Sequence, residues 1–92
     1  MMRIHLVISG RVQGVYFRQS SLEIARSNSL DGWVRNRPDG TVELVAQGTR
    51  EAIERLVVWC QAGPEAAQVT SIERTDAEPV LLPTGFHIRP TG

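Results

Sequence analysis

Residues 30–47 read LDGWVRNRPDGTVELVAQ, and this stretch sets the architecture. Leu30 to Asn36 reads as a strand containing Trp33 and Val34. Arg37-Pro38-Asp39-Gly40 is a turn signal, because proline fixes φ and glycine accepts a positive φ. Thr41 to Gln47 then alternates, with Val42, Leu44 and Ala46 against Thr41, Glu43 and Val45. Two alternating runs around such a turn form a β-hairpin.

Each side of the hairpin is flanked by a helix and then a strand. On the N-terminal side, Phe17 to Asn28 favours helix, with Phe17, Ser21, Ile24, Ala25 and Asn28 on one stripe. Asn28 and Ser29 end it, since Asn tolerates the left-handed cap conformation. Arg3 to Arg11 alternates, with Ile4, Leu6 and Ile8 facing one way, and is a strand with one buried face. Gly10 and Gly14 break the pattern and place a loop before the helix.

On the C-terminal side, Thr49 is a helix N-cap with Glu51 in the first turn. Ile53, Leu56, Val57 and Cys60 follow at helical spacing, and Gly63-Pro64 stops the run. Val69 to Asp76 is a fourth strand whose imperfect alternation points to a bulge. Phe86 to Arg89 is a short fifth strand after a proline-rich connection, Glu78 to Pro83. The order β-α-β-β-α-β plus a terminal strand gives an α+β fold, a ferredoxin-like α/β sandwich. It carries two helices on one face of a mainly antiparallel sheet. Residues 1–92 read as a single domain.

Composition bounds the function. Hydrophobic residues are 41% and charged residues 22%, as in a soluble globular domain. The net charge is zero, which argues against a broad nucleic-acid or membrane surface. All ten basic residues are arginine. The absence of lysine excludes Schiff-base chemistry and a Walker-type GK[ST] loop. Cys60 is alone, so no internal disulfide forms, and one cysteine with two histidines gives no metal-ligand cluster. The first ten residues resemble neither a signal peptide nor a membrane span, and a cytoplasmic protein is expected.

Chemistry is suggested at two places. Gly10-Arg-Val-Gln-Gly-Val-Tyr-Phe-Arg18 runs from a strand end straight into a helix. Such a loop can aim backbone N–H groups into one concavity, and the helix N-terminus adds positive partial charge; both favour a phosphate. Arg18 can then grip two phosphate oxygens. An ordinary turn with a solvated arginine satisfies the same spacing. Asn36 ends the second strand. In a split βαβ unit the first and second strands run parallel with the third between them, so Asn36 reaches the same rim as the loop. Its amide can orient a water, but by pattern alone it reads first as a cap on the hairpin turn.

The runs GRVQGVYFR (10–18) and GWVRNRPDGTVELVAQG (32–48) resemble the two signatures of the acylphosphatases. Trp59, Gly63-Pro64, Ala67, Val69 and Phe86-x-Ile88 resemble later parts of that family, so the resemblance spans essentially the whole chain. It departs at Asn28-Ser29, where a Leu-Gly pair is usual, and at Ser21, where threonine is common. The resemblance implies hydrolysis of acyl phosphates without metal, cofactor or covalent phosphoenzyme. It assigns phosphoryl binding to Arg18 with the backbone amides of Gly14, Val15, Tyr16, Phe17 and Arg18, and water positioning to Asn36. The expected partners are a small-molecule acyl phosphate and inorganic phosphate or sulfate as site ligands, with no nucleic acid and no membrane, and the expected state is a monomer.

Other features read as structural. Cys60 lies on an apolar helical stripe, and Ala66 stands where a cysteine phosphatase needs arginine. His5 and His87 fall on the polar sides of strands. Arg35 and Arg37 flank Asn36 and either are solvated or raise the potential at the site mouth. An RNA-recognition module shares the element order, but it needs exposed aromatics on its middle strands, and Val42 to Ala46 has none.

Overall fold

The computed structural model describes residues 1–92. Seven elements follow in order: β1 (Met2–Arg11), α1 (Phe17–Ser27), β2 (Asp31–Asn36), β3 (Val42–Gly48), α2 (Arg50–Ala62), β4 (Gln68–Ala77) and β5 (Phe86–Ile88). The strands form one sheet in the order β4-β1-β3-β2-β5. Every pairing is antiparallel except that of β2 with β5, which is parallel. The expected sandwich is therefore the observed one. Because β3 is antiparallel to both β1 and β2, those two run parallel and end on the same rim.

One core fills the space between the sheet and the helices. Ile4, Leu6 and Ile8 of β1, Val34 of β2, Val42, Leu44 and Ala46 of β3, and Phe86 of β5 are all fully buried. They pack against Phe17, Leu22 and Ala25 of α1 and Ala52, Ile53, Leu56, Val57 and Cys60 of α2. Leu22 lies deeper in this core than Ile24, so the stripe of α1 is rotated slightly from the one read in the sequence. Thr49 caps α2 as expected, its hydroxyl accepting from the Ala52 amide at 3.2 Å. At the end of α1 the left-handed residue is Ser29 (φ 55), not Asn28. The Asn28 side chain instead donates to the Ile24 carbonyl at 2.8 Å, and its own backbone stays at negative φ (−104).

The bulge falls at Thr70: Ser9 pairs with Ser71 and Gly10 with Val69. The opposite sheet face is partly covered too, contrary to simple alternation. Val45 and Gln47 are buried. The Gln47 amide donates to the Val80 carbonyl at 2.7 Å and accepts from its N–H at 2.9 Å, strapping the connection between β4 and β5 across this face. On the same face Glu43 takes hydrogen bonds from His5 and Arg35, each at 2.7 Å. Burial pushes the Glu43 carboxyl up, but those two partners outweigh it and hold the group below its ordinary range.

Gly63 joins the scaffold to the start of α1. It stops α2 with φ 68, and a Cβ there would stand 2.7 Å from the Phe17 ring. Only glycine combines that backbone with that contact. Phe17 in turn meets Trp59 at a centroid distance of 5.3 Å. Gly63→Ala is therefore expected to lower stability by about 1–3 kcal/mol, the range for a side chain held in a sparsely populated conformation. Urea unfolding checks this.

Candidate active site

The loop between β1 and α1 is pinned on alternate sides. Val12 and Val15 are buried in the core, as is Phe17, whereas Gly14 and Tyr16 are exposed. Gly14 (φ 73) and Tyr16 (φ 65) are both left-handed. A Cβ on Gly14 would meet nothing in the protein, so it is the backbone turn, not crowding, that selects glycine here. Alternating left-handed residues in a pinned loop turn successive N–H groups toward one side.

Those N–H groups have no acceptor. The first bond of α1 runs from Ser20 N–H to the Tyr16 carbonyl, and none of the amides of residues 14 to 18 donates to another backbone group. Tyr16, the N-cap residue, supplies no side-chain cap, and the first turn of α1 carries no acidic residue. α2 is built the opposite way, with Thr49 as cap and Glu51 beside it. The N-terminus of α1 is thus left as a set of donors with positive partial charge.

A cavity of about 420 Å3 opens over this terminus. Gly14, Tyr16, Phe17 and Arg18 line it, together with Asn36 and Ile88. The parallel course of β1 and β2 brings Asn36 there from 18 positions beyond Arg18. Of the sequence-predicted residues, Val15 and Phe17 turn their side chains into the core, and Val15 does not line the cavity. Arg18 is half-buried and makes no ion pair. The Asn36 amide oxygen is buried without a hydrogen-bond partner.

Asn36 is not the turn cap. Asp39 serves that turn, accepting from the Thr41 amide at 3.0 Å and the Thr41 hydroxyl at 2.6 Å. Gln13 completes the brace: its side-chain amide donates to the carbonyls of Arg37 at 2.8 Å and Thr41 at 2.9 Å. This residue escaped the sequence reading because its partners lie 24 and 28 positions away. It ties the phosphate-type loop to the hairpin that carries Asn36.

No carboxylate, imidazole or thiol lines the cavity. Arg35 points to the other sheet face, paired with Glu43 and 5.0 Å from the Trp33 ring, and Arg37 lies 3.9 Å from Asp39. Neither lines the cavity. Cys60 is fully buried in the core, where desolvation pushes its thiol up to about 12. No three His, Cys, Asp or Glu side chains gather into a metal-binding group. A second hollow of about 460 Å3 lies between α2 and β4, but its one charged residue, Arg74, is already paired with Glu54 and Asp76.

Comparison with known proteins shows the family and the fold. The model of the acylphosphatase family matches residues 4–88. The acylphosphatase of Natronomonas pharaonis is 47% identical over 87 residues, which cover 95% of this chain and 94% of that protein. The acylphosphatase of Thiobacillus denitrificans is 51% identical over 78 residues, 85% of this chain and 88% of that one. The crystal structure of acylphosphatase from Bacillus subtilis matches with a TM-score of 0.93 at 35% identity, over 97% of this chain and 99% of that chain.

Gln13→Ala deletes two neutral hydrogen bonds of about 1 kcal/mol each. Stability is expected to fall by about 1–2 kcal/mol in urea titration. Gln13→Glu is expected to be worse, because a carboxylate offers only acceptors to two carbonyls.

Proposed function

The chain belongs to the acylphosphatase family, and we propose that Arg18, Asn36 and the amides of Gly14, Val15, Tyr16, Phe17 and Arg18 perform its reaction. As an acylphosphatase it hydrolyses the carboxyl–phosphate bond of acyl phosphates to a carboxylate and inorganic phosphate. One observation carries the assignment of roles. A single cavity joins N–H donors that have no acceptor to a buried amide oxygen that has no donor. A phosphoryl group is rich in acceptors, and a water carries donors; together they complement both sets.

The phosphoryl oxygens accept from the loop amides and from the Arg18 guanidinium, which holds two of them in its planar fork. A water donates one hydrogen to the Asn36 oxygen, and its lone pair faces phosphorus. The bond from the water oxygen to phosphorus forms as the phosphorus–carboxyl oxygen bond breaks, and that electron pair leaves on the carboxylate. A carboxylate is weakly basic, so its departure needs no general acid. The water proton passes to a phosphoryl oxygen, the substrate serving as its own base. Phosphoryl transfer mainly requires positioning and neutralisation of the equatorial oxygens, and the loop and arginine supply both.

The proposed machinery, Arg18, Asn36 and the loop amides, is complete within one copy of the chain, and the reading is of an enzyme that acts as a monomer. Residues 1–92 act as a single acylphosphatase-like domain. No helix is long and apolar enough to cross a membrane. The reading is of a cytoplasmic enzyme that acts on small anionic substrates without a cofactor, with inorganic phosphate or sulfate as competing site ligands that fit the same amides and Arg18.

Hydrolysis of acetyl phosphate by variants tests the roles. Arg18→Ala removes charge-assisted bonds of roughly 1.5–3 kcal/mol each, so kcat/KM is expected to drop by at least about a hundredfold. Arg18→Lys should restore little, lacking the fork. Because Arg18 has no partner in the fold, both variants should melt close to wild type. Asn36→Ala should abolish turnover yet keep phosphate inhibition, and it should melt no lower than wild type, since it removes an unsatisfied buried acceptor. Retained turnover with lost phosphate binding would overturn the assignment of Asn36. Excess chelator should leave wild-type activity intact; a large loss restored by one divalent ion would sink the mechanism.

A further inference from the structure

Tyr16 stands in a conformation that does not suit it. Its backbone is left-handed, φ 65 and ψ 23, immediately before α1. Glycine takes that region without cost and asparagine with little, whereas an aromatic residue is strained there. The ring gains nothing inside the fold in return. It is 81% exposed, caps no amide, and takes no part in the aromatic or cation–π contacts, which involve Phe17, Trp59, Trp33, Arg35 and Arg89. The nest of amides accounts for the backbone angle but not for the choice of tyrosine.

Tyr16 does line the cavity, and so does Ile88 of β5, itself 38% exposed. These are the two large exposed apolar side chains that border it. If the phosphoryl end of the substrate is seated on the amides of residues 14 to 18, as proposed above, the acyl group extends past side chains at the cavity mouth. We infer that Tyr16 and Ile88 form an apolar rim that binds the acyl group and makes the enzyme favour bulky apolar, above all aromatic, acyl phosphates over acetyl phosphate. The inference rests on that phosphate-cradle reading. An aromatic acyl group stacks on the tyrosine ring and excludes water from both, a gain that a methyl group cannot match. The selectivity then resides in the Tyr16 and Ile88 side chains, and the chemistry in Arg18, Asn36 and the loop amides.

The test is the ratio of kcat/KM for benzoyl phosphate to that for acetyl phosphate. It is measured for wild type, Tyr16→Phe, Tyr16→Asn and Ile88→Ala, with the phosphate inhibition constant as an independent reading of the cradle. Tyr16→Phe should keep the wild-type ratio. Tyr16→Asn, which suits the left-handed backbone, should lower it about tenfold, mainly through KM for the aromatic substrate, and should melt at or above wild type. Ile88→Ala should lower the ratio in the same direction. A ratio within about twofold of wild type in both Tyr16→Asn and Ile88→Ala would overturn the rim. So would an equal fall for both substrates accompanied by weaker phosphate inhibition, which would mark a backbone effect. A wild-type enzyme inert toward both substrates would instead bring down the underlying cradle, and the rim with it.

Discussion

A helix begins with N–H groups that its own backbone cannot satisfy, and this structure turns on where those donors go. α2 resolves the problem internally with Thr49 and Glu51. α1 does not: the amides of residues 14 to 18 donate to no backbone group, and Gly14, Tyr16, Phe17 and Arg18 line a cavity. Leaving donors open is unfavourable unless solvent or a ligand reaches them, so the loop must be held from behind. Val12, Val15 and Phe17 anchor it in the core, Gly63 makes room for the Phe17 ring, and Gln13 fastens it to the hairpin. Much of the packing near the sheet rim serves to keep one helix end fixed and unfilled.

Buried polar side chains elsewhere have partners. Glu43 holds His5 and Arg35, Arg74 holds Glu54 and Asp76, and Gln47 closes a two-way pair with Val80. At the cavity the pattern reverses: Arg18 has no counter-ion, the Asn36 oxygen has no donor, and Tyr16 carries a strained backbone. Local departures from good folding chemistry gathered at one place are what a binding site requires, because groups that satisfy one another have nothing left for a substrate.

The sheet and both helices were legible because their signals are local. Alternation gave β1 and β3, helical spacing and Thr49 gave α2, and Arg37-Pro-Asp-Gly40 gave the hairpin, each within a residue or so of its observed limits. The site was legible in part. Parallel β1 and β2 placed Asn36 beside Arg18 by topology alone, but its release from the turn depended on Asp39 and Gln13, whose hydrogen bonds no short pattern encodes. Long-range covering was the main thing hidden. Val45 alternates away from the core-facing Val42, Leu44 and Ala46, yet it and Gln47 are buried, and the segment from Glu78 folds back to bond Gln47. Ser29 took the left-handed position expected of Asn28, whose side chain bonds the Ile24 carbonyl. The assignment to a family rested on two long signatures, which carry more information than either loop alone.

The extra residue at Thr70 bears on how such molecules coexist at high concentration. β4 is ten residues long and forms one border of the sheet, with its outer row of N–H and C=O groups open to another chain. A straight border of that length is a template for intermolecular pairing. The bulge breaks its register and increases its twist, and Glu73, Arg74 and Asp76 add charge along the stretch beyond it. The other border, β5, is only three residues long. Neither side offers a long, flat, apolar ladder, so the sheet resists the edge-to-edge growth by which β-proteins aggregate.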